Sequence, residues 1–302
     1  MVAGPGRGLG LAGRSAAWLP AWAASWSRAK RRVVAGPGIA ARSFRLEALD
    51  GLIEELRAAG CVFAEDEARL LSEEASSPAE LEAMVGRRVA GEPLQQILGW
   101  AEFCGLRIRV APGVFIPRHR TEFLVHKALR FADEGATVLD LCCGSGAIGV
   151  AVAAGLGAAD LHATDVDPAA TECAMTNVHE VGGRVYRGDL FDPLPRSLRG
   201  RADLVLANAP YVPSGELHLM PREARLHEEP VTLDGGADGL DVQRRLLAEA
   251  PEWLALEGRL LVETSDRQAE STMELMRDAG LAVTLATSAE FQATVAIGHP
   301  KA

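Results

Sequence analysis

The stretch Val138-Leu139-Asp140-Leu141-Cys142-Cys143-Gly144-Ser145-Gly146 is an apolar run that breaks into a glycine-rich turn, and Ala147-Ile148-Gly149-Val150-Ala151-Val152-Ala153 follows at once. A short, nearly continuous apolar run reads as a strand buried on both faces, and the alanine-rich segment after the turn reads as a buried helix. A second run of the same kind, Asp203-Leu204-Val205-Leu206-Ala207, delivers Asn208, Ala209, Pro210 and Tyr211 to its own C-terminal edge. Ligands of open α/β sheets sit outside the carboxyl ends of the strands. The two loops are therefore expected to face one pocket.

Alone, the glycine turn is a weak signal. Gly144-x-Gly146-x-x-Gly149 after a strand also fits a dinucleotide site, and such turns often serve only close packing. Asp165 ends the next expected strand, Leu161–Asp165, where a carboxylate can accept hydrogen bonds from a ribose diol. Nicotinamide enzymes and S-adenosylmethionine enzymes share that arrangement. Asn-x-Pro-Tyr in the second loop separates them, because a nicotinamide enzyme has no use for it there.

Outward from this centre the chain alternates helix and strand. A helix over 122–132 precedes the strand, and a helix near 169–181 and a short strand at 185–187 follow Asp165. After 204–207 comes a long loop, 211–239, then a helix near 242–256 and a strand at 259–263. A helix near 267–279 leads to strands at 281–286 and 293–297. This alternation predicts a mostly parallel sheet covered on both faces. The last two strands have no helix between them and are expected to pair antiparallel, an ending more typical of class I methyltransferases than of dehydrogenases.

Upstream, the pattern is helical from Phe44 to about Gly91. Leu46, Leu49, Ile53 and Leu56 share one face, Ala68, Leu70 and Leu71 begin another, and a third helix runs from Pro78 to Val89 after a Ser76-Ser77 cap. Between Glu92 and Thr121 the texture changes. Phe103 to Val110 reads as a hairpin turning at Gly105, and the extended piece Val114–Arg118 follows Pro112-Gly113. The expected domains are a leader over 1–45, a helical substrate-recognition domain over 46–91, a linker hairpin over 92–121 that closes over the pocket mouth, and a catalytic domain over 122–302. In the leader, Trp18, Trp22 and Trp26 recur at helical spacing before the basic Arg28–Arg32 segment. A membrane-touching or transit segment would look similar, but no cleavage pattern follows, and the expectation is disorder.

Composition narrows the partners. The formal charge is −10. Residues 1–45 hold eight bases and no acid, which leaves 23 bases against 41 acids in the remainder, or −18. Such a body is poorly suited to wrapping phosphate backbones, and no direct nucleic-acid partner is expected. No apolar run approaches the ~20 residues that span a bilayer, so no membrane partner is expected. Five cysteines, with no C-x-x-C pair, suggest neither a disulfide framework nor a metal site, and point to a reducing cytoplasm. A monomer is expected.

Across residues 44–298 the chain resembles the protein-(glutamine-N5) methyltransferases of the HemK/PrmC type, which modify peptide-chain release factors. The resemblance rests on Glu92–Gly99, Ile116-Pro117-Arg118 with Thr121-Glu122, the glycine loop, Gly188–Leu194, the Asn208–Tyr211 loop and Leu233–Leu240, in that order and spacing. It implies a class I, Rossmann-like fold with a seven-stranded, mostly parallel sheet, a terminal antiparallel hairpin and a small N-terminal helical bundle. It implies S-adenosylmethionine as methyl donor, with Cys142, Cys143, Gly144, Ser145 and Gly146 around its amino-acid end and Asp165 on the ribose. Asp189 and Leu190 would take the adenine edge and Phe115 the cofactor mouth. Asn208, Ala209, Pro210 and Tyr211 would hold the substrate glutamine, with Asn208 also touching the cofactor. Three departures stand out: Ala209 for the family's first proline, Cys142 and Cys143 for glycine and threonine, and Ser265 for the glycine of Glu-x-Gly. They leave the reaction in place and open the choice of substrate protein, a release factor or another glutamine-bearing protein.

The chemistry agrees with the resemblance. An amide nitrogen is a weak nucleophile because its lone pair is delocalised into the carbonyl. A side-chain oxygen of Asn208 and the carbonyl of residue 209, each accepting one N–H, would aim that lone pair at an electrophilic methyl. Two alternatives stay open on sequence alone. An exocyclic adenine amine poses the same problem, so an adenine-N6 methyltransferase would carry a similar loop, though a flipped base also needs a basic channel. A non-catalytic S-adenosylmethionine-binding relic would explain Ala209 as decay, but Asn208, Tyr211, Asp165 and the loop glycines remain.

Overall fold

A computed structural model describes residues 44–301; the tryptophan-rich segment and the expected leader lie, up to residue 43, outside the described residues. Helices α1 (Phe44–Ala58), α2 (Ala64–Glu74) and α3 (Pro78–Val89) come first, followed by the short α4 (Leu94–Leu98). Leu52, Leu56, Ala64, Ala68, Leu71, Met84, Val85 and Ile97 bury themselves against one another. These helices thus carry a core of their own. On α1, Leu56 and Ile53 of the expected row pack into this core, and Leu52 joins them. Ser77 caps α3 by accepting from the Glu80 amide at 3.2 Å, and the Glu80 carboxylate accepts from the Ser76 amide at 2.7 Å. That reciprocal arrangement satisfies amides which a helix start leaves unpaired.

Strands β1 (Trp100–Phe103) and β2 (Leu106–Arg109) form the expected hairpin, turning at Cys104-Gly105. No residue of β1 or β2 lines the pocket, whereas Phe115, Pro117, Arg118, Arg120 and Thr121 of the same 92–121 segment do. Asn177 accepts from the Arg109 amide and donates to the Arg109 carbonyl, both at 2.9 Å, which pins the hairpin to a helix of the main domain. The segment after it, Val114–Arg118, is what reaches the pocket.

The main domain then runs α5 (Glu122–Ala128), β3 (Ala136–Leu141), α6 (Ala147–Leu156), β4 (Ala159–Asp165), α7 (Pro168–Glu180), β5 (Arg184–Arg187) and β6 (Ala202–Ala207). It ends with α8 (Arg222–His227), α9 (Asp241–Trp253), β7 (Leu254–Thr264), α10 (Ala269–Asp278), β8 (Leu281–Ser288) and β9 (Ala293–Pro300). The seven strands lie in the order β5-β4-β3-β6-β7-β9-β8. All neighbours pair parallel until β9, which is antiparallel to both β7 and β8. This is the class I methyltransferase fold implied by the resemblance, terminal hairpin included. The loop expected over 211–239 is more ordered than its composition suggests: it holds α8 and two 3-10 turns, Ser214–Leu219 and Pro230–Thr232. Strand β7 starts at Leu254, several residues earlier than expected.

Why β3 and α6 form where they do follows from burial on all sides. Val138, Leu139 and Leu141 are fully buried, and every residue from Ala147 to Ala153 is buried. A helix apolar all round must sit between other elements, here between the sheet and its neighbours α5 and α7. Gly146 opens α6 with φ +77°, and a Cβ there would lie 2.7 Å from Val178 Cγ2. Gly149 lets α6 settle onto the sheet: a Cβ would lie 2.7 Å from Leu161 Cδ1 and 2.9 Å from Asp140 Oδ2. Both glycines are therefore packing positions as much as turn positions.

Gly149→Ala is expected to destabilise the fold by about 1–3 kcal/mol, the usual penalty for overpacking a filled core. Urea unfolding of variant and parent measures this. A midpoint within error of the parent would mean that the α6–β4 contact is looser than the geometry states.

Candidate functional site

The site is built by register. Leu141 pairs with Ala207 across β3 and β6, so Cys142 and Asn208 leave the sheet side by side. Leu141 also pairs with Thr164 of β4, which puts Asp165 on the other flank. The chain runs outward from β3 to β4 on one side and returns to β6 on the other, so this edge is the topological switch point, where doubly wound sheets leave a crevice. A cavity of about 330 Å³ opens there, within the range of small-molecule sites.

Of the residues expected at the site, Phe115, Cys142, Cys143, Gly144, Ser145, Asp165, Asp189, Leu190 and Asn208 to Tyr211 all line this cavity. Gly146 does not; it shapes the start of α6 from behind the turn. The turn itself is tied to β4: the Cys143 amide donates to the Thr164 carbonyl at 3.0 Å, and the Gly144 amide donates to Asp165 Oδ2 at 2.8 Å. Asp165 Oδ1 accepts from the Asp167 amide at 3.0 Å. Burial pushes the Asp165 carboxyl up, and these backbone amides pull it back. A carboxylate offers about four lone-pair positions, so Asp165 keeps acceptor capacity toward the cavity. Cys142 has φ +53° and Leu190 has φ +47°. Side chains rarely adopt that left-handed conformation, which costs on the order of 1–3 kcal/mol and gathers at functional sites. It also explains why a relative would place glycine where this chain has Cys142.

Asp189 is paired with Arg245 of α9, which also lines the cavity. Tyr211 is held by its hydroxyl, which accepts from Arg120 Nη2, and by its carbonyl, which accepts from Gln268 Nε2 at 2.9 Å. Burial, with the nearby Glu263 charge second, raises the phenol to about 12, so Tyr211 stays neutral at physiological pH. Leu233–Leu240 clamps the same loop from outside: the Val212 amide donates to the Leu233 carbonyl at 3.0 Å and the Gly235 amide to the Val212 carbonyl at 2.9 Å. Gly239 passes so close to the Tyr211 carbonyl that any side chain would collide with it.

Other groups in the site were invisible as such in the sequence. Arg118 of the extended segment pairs with the buried Glu228, and Arg120 pairs with the buried Glu263 at 3.2 Å. Asn208 Nδ2 donates to Thr121 Oγ1 at 3.3 Å. Ile148, Val166, Met220, Val231 and Val242 supply apolar wall. Arg118 and Thr121 stand within the Ile116-Pro117-Arg118 and Thr121-Glu122 motif, which assigns them no role, and Glu263 could have been suspected as an acid at the C-terminal edge of an apolar strand. The arginines carry no periodicity that would single them out.

The donor set fits S-adenosylmethionine. Asp165 offers acceptors for a ribose diol, Leu190, Ile148 and Val166 offer apolar surface for a purine, and the Cys142–Ser145 turn offers backbone polar groups for an amino acid. Among the described residues no group of His, Cys, Asp and Glu side chains is arranged to hold a metal ion, and no helix is long and apolar enough to cross a membrane.

Residues 105–227 match the family model described as the methyltransferase small domain. A release factor glutamine methyltransferase of Geobacter sulfurreducens is 43% identical over 209 residues, which covers 68% of this chain and 72% of that protein. A 4-amino-L-phenylalanine/4-methylamino-L-phenylalanine methyltransferase of Streptomyces pristinaespiralis is 36% identical over 203 residues, or 65% of this chain and 69% of its own. Among solved structures, a methyltransferase from Pyrococcus furiosus has a TM-score of 0.50 at 18% identity, covering 64% of this chain and 88% of that one; the likeness is one of fold.

Asp140, beneath the glycine turn, is fully buried; Oδ2 accepts from the Gly149 amide at 2.9 Å and Oδ1 has no partner. Burial raises it from 3.8 to about 7. Between those values the folded chain keeps a proton that the unfolded chain has released, so stability falls as pH rises through this window and levels off above it. Asp140→Asn is expected to flatten that slope, the difference from the parent growing to at most roughly 4 kcal/mol by pH 8. Urea titrations at pH 4, 6 and 8 test this; parallel curves would refute the buried, proton-holding acid.

Proposed function

We propose that this chain, which belongs to the release factor glutamine methyltransferase family, transfers a methyl group from S-adenosylmethionine to the side-chain amide nitrogen of a glutamine in a peptide-chain release factor. The acceptor is the glutamine of a Gly-Gly-Gln loop. The observation that carries the reading is the Leu141–Ala207 register, which sets Asn208 beside the turn that would hold the donor.

S-adenosylmethionine, when bound, would supply an electrophilic methyl on a sulfonium: the N–C bond forms in line as the C–S bond breaks, the sulfur leaves as a neutral thioether, and the methylated amide then gives up one proton to water. Cys142 to Ser145 would hold its amino-acid end, Asp165 its ribose, and Leu190 with Asp189 its adenine edge. Asn208 Oδ1 accepts one hydrogen of the glutamine carboxamide and the Ala209 carbonyl accepts the other. With both hydrogens held back, the nitrogen lone pair turns toward the cavity side where Asn208 meets the glycine turn. Fixing that geometry can contribute several kcal/mol to the barrier reduction. Tyr211 provides a flat neutral wall for the planar amide, kept in place by Arg120. Asn208 and Ala209 orient the nitrogen; neither acts as a base.

The helical bundle is read as the part that chooses the protein substrate. It is joined to the cavity rim through Arg88, which binds Glu67 at 2.6 Å within the bundle and Glu223 of α8 at 2.7 Å. Gln96 adds a bond to the His227 carbonyl at 2.9 Å. Val62 and Phe63, at the α1–α2 turn, are 83% and 70% exposed, an apolar corner suited to a protein partner. The −18 body speaks against a nucleic-acid acceptor. A cytoplasmic monomer completes the proposal.

Labelled methyl transfer tests the activity against three acceptors: a release-factor domain with a Gly-Gly-Gln loop, the same domain with its glutamine replaced, and free 4-amino-L-phenylalanine. Label on the first alone is expected. Label on the aromatic amine instead would overturn the substrate assignment. Asn208→Ala is expected to lose at least roughly 100-fold in kcat while S-adenosylmethionine affinity, by calorimetry, stays within a few-fold. Phe63→Asp is expected to raise KM for the release-factor domain about tenfold and leave kcat near the parent value. An unchanged KM would remove that corner from the substrate surface.

A further inference from the structure

Three parts of the cavity wall leave the sheet in a row, because β3, β4 and β5 are neighbours. The glycine turn follows β3, Asp165 ends β4, and Asp189 comes two residues after Arg187 of β5, which pairs with Asp165. An elongated ligand with its amino-acid end on the turn and its ribose on Asp165 therefore brings its base to Asp189. The Asp189 backbone is fixed there. The Gly188 amide donates to the Asp165 carbonyl at 2.9 Å, the Asp192 amide donates to the Asp189 carbonyl at 3.0 Å, and Leu190 between them is left-handed.

The Asp189 side chain is fixed from another element. Its Oδ2 accepts from Arg245 Nη2, and its Oδ1 has no hydrogen-bond partner among the described residues. Arg245 stands one turn after Val242 on α9, and both line the cavity with Asp189. A carboxylate only accepts, and its two oxygens are equivalent until one is engaged. With Oδ2 taken, Oδ1 is the acceptor that stays open. The exocyclic amine of a 6-aminopurine donates and matches it, whereas the oxygen of a 6-oxopurine accepts and opposes it. In the free protein the two side chains are 54% and 42% exposed, so the pair contributes little to stability. Its position on the cavity wall gives it a task toward a ligand instead.

We infer that Arg245 is a positioning residue: it holds Asp189 so that one carboxylate oxygen meets the amine of the donor's purine, and the cavity thereby selects a 6-amino over a 6-oxo base. The inference rests on the donor assigned above and adds the residue that sets its base specificity. Helix α9 then supplies both apolar wall, through Val242, and the clamp on Asp189, through Arg245.

Calorimetry on the full chain tests this without turnover, using S-adenosylhomocysteine and its 6-oxo counterpart, S-inosylhomocysteine. The parent is expected to bind the adenosyl ligand at least about tenfold more tightly, since the other ligand sets an acceptor against an acceptor. Asp189→Asn, which can donate, is expected to bring the two affinities within about three-fold of each other. Arg245→Met keeps the apolar stem and loses the guanidinium. It is expected to lower the preference about three- to five-fold, through weaker adenosyl binding, and Arg245→Gln to do the same. Added to Asp189→Asn, Arg245→Met is expected to change the preference no further, because it acts through that carboxylate. Equal weakening of both ligands by Arg245→Met, which a merely structural role would give, would overturn the inference. So would a parental preference in that variant, or additive effects in the double variant. A parent that binds neither ligand would refute the donor assignment and this inference with it. A parent that shows the preference but leaves the release-factor domain unlabelled would refute the proposed acceptor alone.

Discussion

The parallel pairing of β3 with β6, Leu141 opposite Ala207, is the constraint from which the rest of the molecule takes its place. Both strands are buried on both faces, so neither can slip by one residue without turning its apolar set the wrong way. That fixed register puts the left-handed Cys142 and the polar Asn208 at one edge, with no side chain of either strand between them. The glycines around the pair serve the same end. Gly146 and Gly149 draw α6 down onto the sheet, and Gly239 lets the Leu233–Leu240 segment press on the Tyr211 backbone. The loops of the site are thus held from below by a packed core and from outside by a backbone clamp, and neither depends on long side chains.

The electrostatics of the site follow a second pattern. Glu263 and Glu228 are buried acids, each raised by burial and each answered by an arginine from the 118–120 segment. Removing one partner of such a buried pair leaves an uncompensated charge, which costs far more than a surface ion pair contributes. The pairs therefore act as anchors that fasten the extended Val114–Arg118 piece and the 3-10 turn after it, His119–Thr121, across the cavity mouth. Glu228 also accepts from the Ile116 amide at 3.3 Å, so backbone and guanidinium are tied to the same carboxyl. The segment that carries Phe115 and Thr121 is placed by charge at one side and by the cavity wall at the other.

What could be read from the sequence alone was what depends on local order. The alternation of apolar runs and helical segments announced the parallel sheet, and the missing helix between the last two strands announced the antiparallel end. The glycine turn, Asp165 and the Asn208 loop were legible because each sits directly after a strand. The hairpin's true position was not legible, since it is set by Asn177, distant in sequence, gripping Arg109 from α7. The 211–239 segment read as loop because its short turns are stabilised by contacts such as Ser214 amide to Gly236 carbonyl, at 2.8 Å, and not by any periodic face. Arg120, Glu263 and Arg245 escaped for the same reason: their roles exist only once strands β6 and β7 and helix α9 are side by side.

Ala209 can be weighed against this background. Losing a proline there removes a fixed φ and relaxes the restriction on Asn208 before it. If the loop relied on its own stiffness, the amide-binding oxygen would be free to swing. In this chain Ala209 is 1% exposed, Pro210 follows it, and Tyr211 is held by Arg120, Gln268 and the Leu233–Leu240 clamp. Asn208 is restrained separately through Thr121. The rigidity that a second proline would supply along the chain is supplied across it, by groups from three different segments. A loop braced that way can accept alanine at 209 and still present the same two acceptors, which is why the substitution argues for altered mobility of the bare loop and not for loss of chemistry.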